Sequence, residues 1–326
     1  MLCWCPVRSQ PTDRQIHGFL GAVLGVTALV GVLVPAGRAA AYCRTTTCDP
    51  TVSPPTPGAC ETNTDGCATN GVPLSWPGAC VAFSVQKDAS PLRSIDFSTM
   101  QNVVVGAYEK WRGVDCGGGL GPSIGISDRS PVNCTLVEYN KKSDQPNANI
   151  WMFRDDTWPH TGARTTIALT TVTYGAETGQ IYDADVEVNS ANFPVTVGDI
   201  NVGADLESIV QHESGHTLGL AESEVRTATM FGSYSPSDTS KRILSPDDIL
   251  GICEIYPASQ DRGACDPTPR HGFSPDCHVD KKDSGCSVRA PYRGSLWGLA
   301  GLGLGLGLIV YLRRRRRSGR SACGRA

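Results

Sequence analysis

The sequence is short of charge, and neither sign dominates it. Its 29 lysines and arginines nearly balance 32 aspartates and glutamates, so the net charge is -3 and charged residues make up 19% of the 326 residues. Nucleic-acid-binding proteins usually carry a clear basic excess, so this composition gives no indication of nucleic acid as a partner. Internal repeats are absent as well. Histidine is scarce, with 6 residues in the whole chain.

Cysteine, in contrast, is abundant, and 14 cysteines are too many for a reduced cytosolic enzyme of this kind. Cys3, Cys5, Cys286 and Cys323 lie in or beside predicted terminal signals. The other ten are Cys43, Cys48, Cys60, Cys67, Cys80, Cys116, Cys134, Cys253, Cys265 and Cys277. Their even number is what a fully paired exported domain requires, although the sequence does not determine the pairing. Several free buried thiols are the less favoured alternative.

The amino terminus predicts an export signal. Residues 18–34 are apolar, Arg8 and Arg14 precede them, and the alanines at 39–41 offer a small-residue cleavage site. We therefore expect residues 1–41 to be a signal peptide and the mature chain to begin at Tyr42. A retained transmembrane helix is the alternative, but the stretch is short for a membrane span.

The carboxyl terminus carries a second membrane signal. Residues 294–312 are uncharged and would be about 28 Å long as a helix, just enough to span a membrane. Five arginines follow at 313–317, and by the positive-inside rule they would stay cytoplasmic. The sequence SGCSV at 284–288, the Gly- and Leu-rich span and the arginine cluster together resemble the C-terminal sorting tail of myxobacterial surface proteins. The resemblance implies removal of the tail, 294–326, near Cys286 and display on the cell surface, with release as an alternative.

Between these signals the chain divides into three parts. Residues 42–72 hold four cysteines among Thr, Pro, Gly and Asn, which predicts a disulfide-tied segment without a core of its own. Residues 73–257 are long enough for one domain with a full hydrophobic core. Residues 258–293 are rich in Pro, Gly, Asp and Lys and are interpreted as a linker, stapled by a pair formed between Cys265 and Cys277.

Apolar periodicity predicts an α/β (α+β) domain. A helix is expected over residues 96–112, where Met100, Val104, Ala107 and Trp111 recur at helical spacing. Another helix should start at Ser245, a suitable N-cap, with Pro246 as its first residue. Alternating apolar residues predict strands at 80–85, 123–127, 150–153, 167–174 and 181–188.

The stretch HESGHTLGLAE at residues 212–222 is the most informative part of the chain. Its two histidines, His212 and His216, are four apart on an amphipathic helix for which Asp205 is a suitable N-cap, so both imidazoles can reach one metal ion. Glu213 would lie beside that metal, where it can take a proton from water, as in a zinc peptidase. Gly219 can end the helix and turn the chain back. Two ordinary surface histidines are the less favoured interpretation.

The pattern HExxHxxGxxE resembles the signature of the metzincins and, more narrowly, of the matrixins. Residues 228–234, ATMFGSY, are similar to the methionine turn beneath the metal in that family, with Met230 at its centre. Residues 242–257 are similar to the closing helix of matrixin domains. The resemblance covers residues 73–256 and implies a metzincin catalytic domain: a twisted mixed sheet, a long helix, the metal-binding helix and the methionine turn.

The resemblance has further implications. In that family the last strand before the metal helix lies antiparallel at the edge of the cleft, which would place this strand within residues 167–188. The segment 42–72 lacks the cysteine-switch sequence by which matrixin propeptides occupy the zinc, so no latency of that kind is expected. Asp183, Asp185 and Glu187 alternate on one strand face and could bind calcium, as in some matrixins. A solvated acidic strand face is the preferred interpretation.

The third metal ligand is where the chain departs from the family. Histidine is usual there, whereas this chain has Glu222, and the nearest downstream histidine is His271, beyond the closing helix. A carboxylate is a competent zinc ligand, and two histidines with one glutamate form a known catalytic set. Two alternatives stay open: Glu222 hydrogen-bonds to a ligand without touching the metal, or Glu224 binds instead.

A mechanism follows from these residues. Zinc on His212, His216 and Glu222 would leave an open position for water, and Glu213 would take the water's proton during attack on a peptide carbonyl and pass it to the leaving amine. Tyr234 could donate a hydrogen bond to the oxyanion, as a tyrosine of the methionine turn does in some related peptidases, or it could be an ordinary packed tyrosine. We expect protein or peptide substrates and a monomeric enzyme.

The predicted function is therefore that of an exported zinc endopeptidase, and two rival functions remain. One is a catalytically weak surface adhesin that keeps the metzincin fold, suggested by Glu222 and the sorting tail; the intact base Glu213 argues against it. The other is a zinc peptidase of another clan with a glutamate ligand from a later helix, against which the spacing of Gly219 and Met230 argues.

Overall fold

The computed structural model describes residues 42–48, 60–78 and 80–278. The predicted signal peptide, the sorting tail and Cys286 lie outside these residues, so the structure does not test them. Among the described residues no helix is both long enough and apolar enough to cross a membrane. The predicted span at 294–312 lies outside the described residues.

The described chain builds a mixed sheet of five strands in the order β2-β1-β3-β5-β4. The strands are β1 (Cys80–Val85), β2 (Gly125–Asp128), β3 (Ile150–Phe153), β4 (Ala168–Tyr174) and β5 (Ile181–Val188). β1, β2, β3 and β5 run parallel to one another, and β4 pairs antiparallel with β5 at the sheet edge. Two short strands, β6 (Val195–Thr196) and β7 (Ala204–Asp205), form a separate parallel pair.

The predicted α/β class with a mixed sheet is confirmed, and one detail needs correction. The antiparallel edge strand is β4, which lies within the predicted range 167–188, but it is not the last strand before the metal helix, because β5, β6 and β7 follow it. β5, which follows β4, lies between β4 and β3 and is buried along nearly its whole length. The second strand of the β4–β5 hairpin therefore pairs with β3 inside the sheet, and β4 is left at the edge.

The domain has three helices: α1 (Phe97–Arg112) and α2 (Leu206–Thr217), which pack on the sheet, and α3 (Pro246–Ile255). Each begins at a side chain that caps its first turn, and these N-caps are Asp96, Asp205 and Ser245. The apolar residues predicted for one face of α1 are all buried, and Trp111 at its end reaches α2, where its Nε1 donates to Ser214 Oγ at 2.9 Å. Helix α1 thus supports α2 from behind.

Five disulfides pair all ten cysteines that were assigned to the exported domain. They are Cys43–Cys67, Cys48–Cys60, Cys80–Cys265, Cys116–Cys253 and Cys134–Cys277. The predicted even pairing is confirmed, but the predicted pair of Cys265 with Cys277 is wrong. Both cysteines reach back to the sheet region, so residues 258–278 are attached to the domain and only the remainder of the predicted linker, from 279 on, is left undescribed.

The amino-terminal segment also lies on the domain, beside the turn that follows α2. Thr45 N donates to Gly219 O at 3.0 Å, and Ala221 N donates to Cys43 O at 2.9 Å. The disulfide Cys43–Cys67 holds residues 43–45 at one end. The segment therefore braces the turn between His216 and Glu222, a role that its loop-like composition did not predict.

Candidate metal centre

Helix α2 presents His212 and His216 on one face, because residues four apart lie one turn above the other. Their Nε2 atoms are 3.1 Å apart. On the other side of each ring, His212 Nδ1 is 2.7 Å from Thr229 O and His216 Nδ1 is 2.9 Å from Leu220 O. A carbonyl oxygen only accepts, so each Nδ1 carries a proton and each ring directs its Nε2 toward the other.

Glu222 completes the cluster. Gly219 has a φ of 99°, a left-handed conformation that suits glycine, and it turns the chain back after α2. This turn places Glu222 Oε1 3.6 Å from the Nε2 of both histidines. Glu222 Oε2 is buried and has no hydrogen-bond partner in the described part of the protein. The carboxylate lies against Gly232, where an added Cβ would be only 2.8 Å from Oε2.

The electrostatics of this cluster call for a cation. Two imidazole lone pairs and a carboxylate face one another, and all three are acceptors. Burial works against charge at both Glu222 and His216, but attraction between the carboxylate and the histidines prevails. Glu222 raises the pKa of His216 to about 9, and His212 together with His216 holds the pKa of Glu222 far below its ordinary value. A metal ion would supply the same positive charge without a proton. Two imidazole nitrogens and one carboxylate oxygen are a donor set suited to zinc.

The alternative ligand Glu224 is not part of this cluster. The group of potential metal-binding side chains found here consists of His212, His216 and Glu222, whose ligand atoms all lie within 4.8 Å of one another. Glu224 turns toward the amino-terminal segment, where its Oε1 is 3.5 Å from the position of a Cβ on Gly66. The geometry thus favours Glu222 as the third donor.

Glu213 lies in the same cleft and is 8% exposed. Its Oε2 accepts a hydrogen bond from Thr170 Oγ1 at 2.5 Å. Thr170 belongs to the edge strand β4, so this bond fixes the carboxylate between the metal helix and the sheet edge. Sequence reasoning missed Thr170, since β4 also carries Thr171 and Thr173 and nothing in the pattern singles out one of the three.

The methionine turn lies beneath α2. Met230 is 1% exposed, and a Cβ added to Gly215 would be 2.3 Å from its Sδ. The turn is held by Asp248, whose carboxylate accepts from Thr229 N at 2.8 Å and from Met230 N at 3.0 Å. Asp248 lies in the first turn of α3, where a carboxylate also suits the positive end of the helix. It also fixes Thr229, whose carbonyl oxygen is the partner of His212.

Two glycine-to-alanine replacements test this packing. Both Gly106 in α1 and Gly215 in α2 are helical, so alanine should stabilise either helix by about 0.5–1 kcal/mol on propensity alone. Gly106 has open space, with nothing within 4 Å of an added Cβ, whereas Gly215 faces Met230 and Trp111. We expect Gly106→Ala to raise the free energy of unfolding and Gly215→Ala to lower it by about 1–3 kcal/mol. Chemical denaturation would measure both, and equal stabilisation by the two would contradict the packing.

Tyr234 lines the cleft, but its hydroxyl already has backbone partners. It accepts from Asp205 N at 2.7 Å and donates to Gly203 O at 3.3 Å, at the start of α2. These bonds fit the alternative of a packed tyrosine that positions the metal helix. Donation to an oxyanion stays a prediction, and it would require the hydroxyl to leave these partners.

The acidic residues of β5 are not solvated, so the preferred interpretation of that strand face was wrong. Asp183, Asp185 and Glu187 are 2%, 0% and 1% exposed, because β5 lies inside the sheet. Glu187 pairs with Arg154, and Asp185 Oδ1 accepts from Ile150 N at 2.8 Å. Asp183 Oδ1 is buried and lacks a hydrogen-bond partner among the described residues.

Burial and the neighbouring carboxylate raise the pKa of Asp183 well above its ordinary value, and burial does the same for Asp185. A raised carboxyl pKa means that the folded state holds protons which the unfolded chain releases, so stability falls as pH rises above about 4. We expect Asp183→Asn to raise the melting temperature by about 2–4 °C at pH 8 and to have little effect at pH 4. Thermal unfolding at both pH values would measure this. If Asp183 binds calcium instead, the variant should be less stable than the wild type when calcium is present.

Comparisons with known proteins agree with this geometry. Residues 135–257 match the family model described as Matrixin. Metalloendoproteinase 5-MMP of Arabidopsis thaliana is 31% identical over 176 residues, which cover 53% of this chain and 46% of that protein. Matrix metalloproteinase-27 of Homo sapiens is 41% identical over 80 residues, covering 24% of this chain and 16% of that protein.

Metalloendoproteinase 1 of Glycine max is 43% identical over 75 residues, covering 23% of this chain and 24% of that protein. In each of these alignments the chain spans less than half of the relative's length. The matched family region contains α2, Glu222 and the methionine turn. The family match, these relatives and the mixed sheet together support a matrixin-like metzincin.

Proposed function

We propose that this chain is an exported zinc-dependent endopeptidase. The observation that carries the proposal is the convergence of three potential metal ligands: His212 Nε2 and His216 Nε2 are 3.1 Å apart, and Glu222 Oε1 is 3.6 Å from each of them. This arrangement is costly for a protein that holds no cation there, since like partners face one another in a partly buried cleft. The names of the relatives, all metalloproteinases, support the same class of activity.

The residues around the cluster have separate roles in the proposed reaction. A bound zinc ion would supply Lewis acidity, which polarises a peptide carbonyl and makes water more acidic. Glu213 accepts the proton of the attacking water and passes it to the leaving amine. Thr170 holds the Glu213 carboxylate in place, so the base is oriented before the substrate arrives. Met230 and Asp248 keep the floor of the site rigid from below.

The cleft has the shape that a peptide requires. It encloses about 550 Å³, and residues 165–170 of the β4 region form one wall, with the metal cluster at its base. β4 is an edge strand of the described sheet, so its outer backbone groups face away from the other strands and could pair with an extended peptide. We propose that the substrate backbone lies along β4, which would bring a carbonyl over the cluster.

Five disulfides support an oxidising compartment and hence export. Display on the cell surface rests on the predicted tail alone, and it is proposed on that basis. No observation specifically favours the adhesin alternative: both the base and the three potential ligands are present in one cleft.

Removal of metal tests the proposal. The protein should cleave an unfolded, unmodified protein such as casein, lose that activity on dialysis against a zinc chelator, and regain it when about one equivalent of zinc returns. Peptide fragments separated by mass would report the cleavage. Undiminished activity in the metal-free protein would contradict the proposal, and so would fragments that arise only from chain ends.

A further inference from the structure

The wall of the cleft beside the methionine turn carries a buried cation. Lys241 lies in a short 3₁₀ turn, Ser240–Arg242, and is 7% exposed where it lines the cleft. Its Nζ donates to Thr229 O at 3.1 Å and to Phe231 O. In the described part of the chain, the ion pairs within 4.0 Å do not include Lys241. This ammonium thus contacts two carbonyl oxygens and, at 3.5 Å, His212 Nδ1, with no carboxylate at ion-pair distance in the described part of the chain.

A second cation, Arg226, lies with Lys241 near the aromatic ring of Phe231. The guanidinium carbon of Arg226 is 5.8 Å from the centre of the Phe231 ring, and Lys241 Nζ is 5.9 Å from that centre. Arg226 is exposed, lines the cleft and, like Lys241, is in no ion pair among the described residues. Both positive charges thus lie within 6 Å of the centre of one ring, a distance at which cation–π attraction acts on each of them.

Glu222 and Glu213 attract Lys241 through space, but among the described residues no carboxylate of the cleft forms an ion pair with the basic wall of Lys241 and Arg226. Glu222 faces the histidines, Glu213 is bonded to Thr170, and Glu224 turns toward Gly66. A buried ammonium without a carboxylate partner is unusual, because lysine loses its hydration on burial and is seldom buried unless paired. A carboxylate entering the cleft would gain a charge-assisted bond in a place that is partly shielded from water.

We propose that Lys241 and Arg226 bind a carboxylate of the substrate, so that the enzyme favours cleavage beside an acidic group. The proposal rests on the proposed peptidase function and adds the substrate class. The carboxylate has two possible sources, the side chain of an aspartate or glutamate within the peptide, or the free α-carboxylate at the peptide's end. Both would make the same bonds with the basic wall.

Matched peptides test the proposal. Two peptides with amidated ends that differ only by Glu or Gln beside the scissile bond isolate the side-chain charge. A third has Gln and a free carboxyl end, placed one residue beyond that bond. The wild type should prefer at least one carboxylate form by about tenfold in kcat/KM over the neutral peptide. The form that is preferred identifies the source.

Substitutions test whether Lys241 and Arg226 cause the preference for a carboxylate. Lys241→Met keeps the length of the side chain without its charge, and the ratio of kcat/KM between the preferred and neutral peptides should fall close to 1. Arg226→Gln, at an exposed position that tolerates change, should lower the ratio by a smaller factor. Lys110→Met removes an exposed lysine outside the cleft and should leave the ratio unchanged.

The outcomes separate this proposal from the proposed function. If the wild type cleaves all three peptides equally well, the basic wall does not select a carboxylate, while the peptidase function stands. If no peptide is cleaved, binding of the labelled peptides by fluorescence anisotropy decides, and equal affinities overturn the proposal. A ratio that survives both Lys241→Met and Arg226→Gln would also overturn it.

Discussion

Replacing Glu213 with Gln should reduce peptide hydrolysis by at least about 10²–10⁴ while the protein keeps its metal. The amide is nearly the same size as the carboxylate, and its oxygen can still accept the bond from Thr170 Oγ1. It cannot take a proton from water, so the loss falls on the chemical step. Because Glu213 is not one of the three clustered side chains, metal binding should be retained.

The measurement is kcat/KM on one peptide together with zinc content of the same preparation. Glu224→Gln is a matched control, since it neutralises another carboxylate of the cleft that does not belong to the cluster. It should stay within a few-fold of the wild type. Activity of Glu213→Gln within tenfold of the wild type would show that another group acts as the base.

The second large effect is expected at the position where the chain departs from its apparent family. Glu222→Ala should weaken zinc binding by more than the roughly 10–100-fold that is typical when only a partner of a ligand is lost. The reason is that Glu222 Oε1 lies at the same distance, 3.6 Å, from both histidine nitrogens and closes the triangle of donors. Glu222→His should keep zinc bound, because imidazole is also a competent donor.

Competition with a chelator of known affinity would measure these changes. Glu224→Ala is the control, and it should bind zinc as the wild type does. If Glu222→Ala retains wild-type affinity, Glu222 is not a ligand and the carboxylate only hydrogen-bonds near the histidines. If Glu224→Ala loses zinc instead, the chain must rearrange around Gly66 on metal binding.

Local features of the site could be predicted from the sequence. His212, His216 and Glu213 are close together because a helix repeats every 3.6 residues, so their relation needs no knowledge of the rest of the fold. The turn at Gly219 and the cap at Asp205 are likewise set by neighbouring residues. Periodicity also predicted the helix that carries Trp111 and the existence of the five long strands.

Contacts between residues far apart in the sequence could not be predicted. Thr170 meets Glu213 from 43 positions away, and Asp248 fixes Met230 across 18. Such contacts depend on how strands and helices pack, which composition and spacing do not specify. The partners of Cys265 and Cys277 were wrong for the same reason: the pairing follows from the path of residues 258–278 back over the sheet.

The acidic residues of β5 show a different limit. Alternation of Asp183, Asp185 and Glu187 with apolar residues is typical of a strand with one face in water. In this sheet both faces of β5 are covered. Arg154 pairs with Glu187, and the backbone amide of Ile150 donates a hydrogen bond to Asp185. Periodicity can indicate that a strand exists, but whether its polar side is covered depends on the segments packed over it.

The central claim is that His212, His216 and Glu222 hold one catalytic metal ion, and the most direct measurement is zinc per chain. Elemental analysis of the purified protein, after removal of loosely bound metal, should give about one zinc per chain for the wild type. His216→Ala should give far less, since two remaining donors hold zinc poorly. A wild type without zinc, or a full equivalent in His216→Ala, would contradict the account.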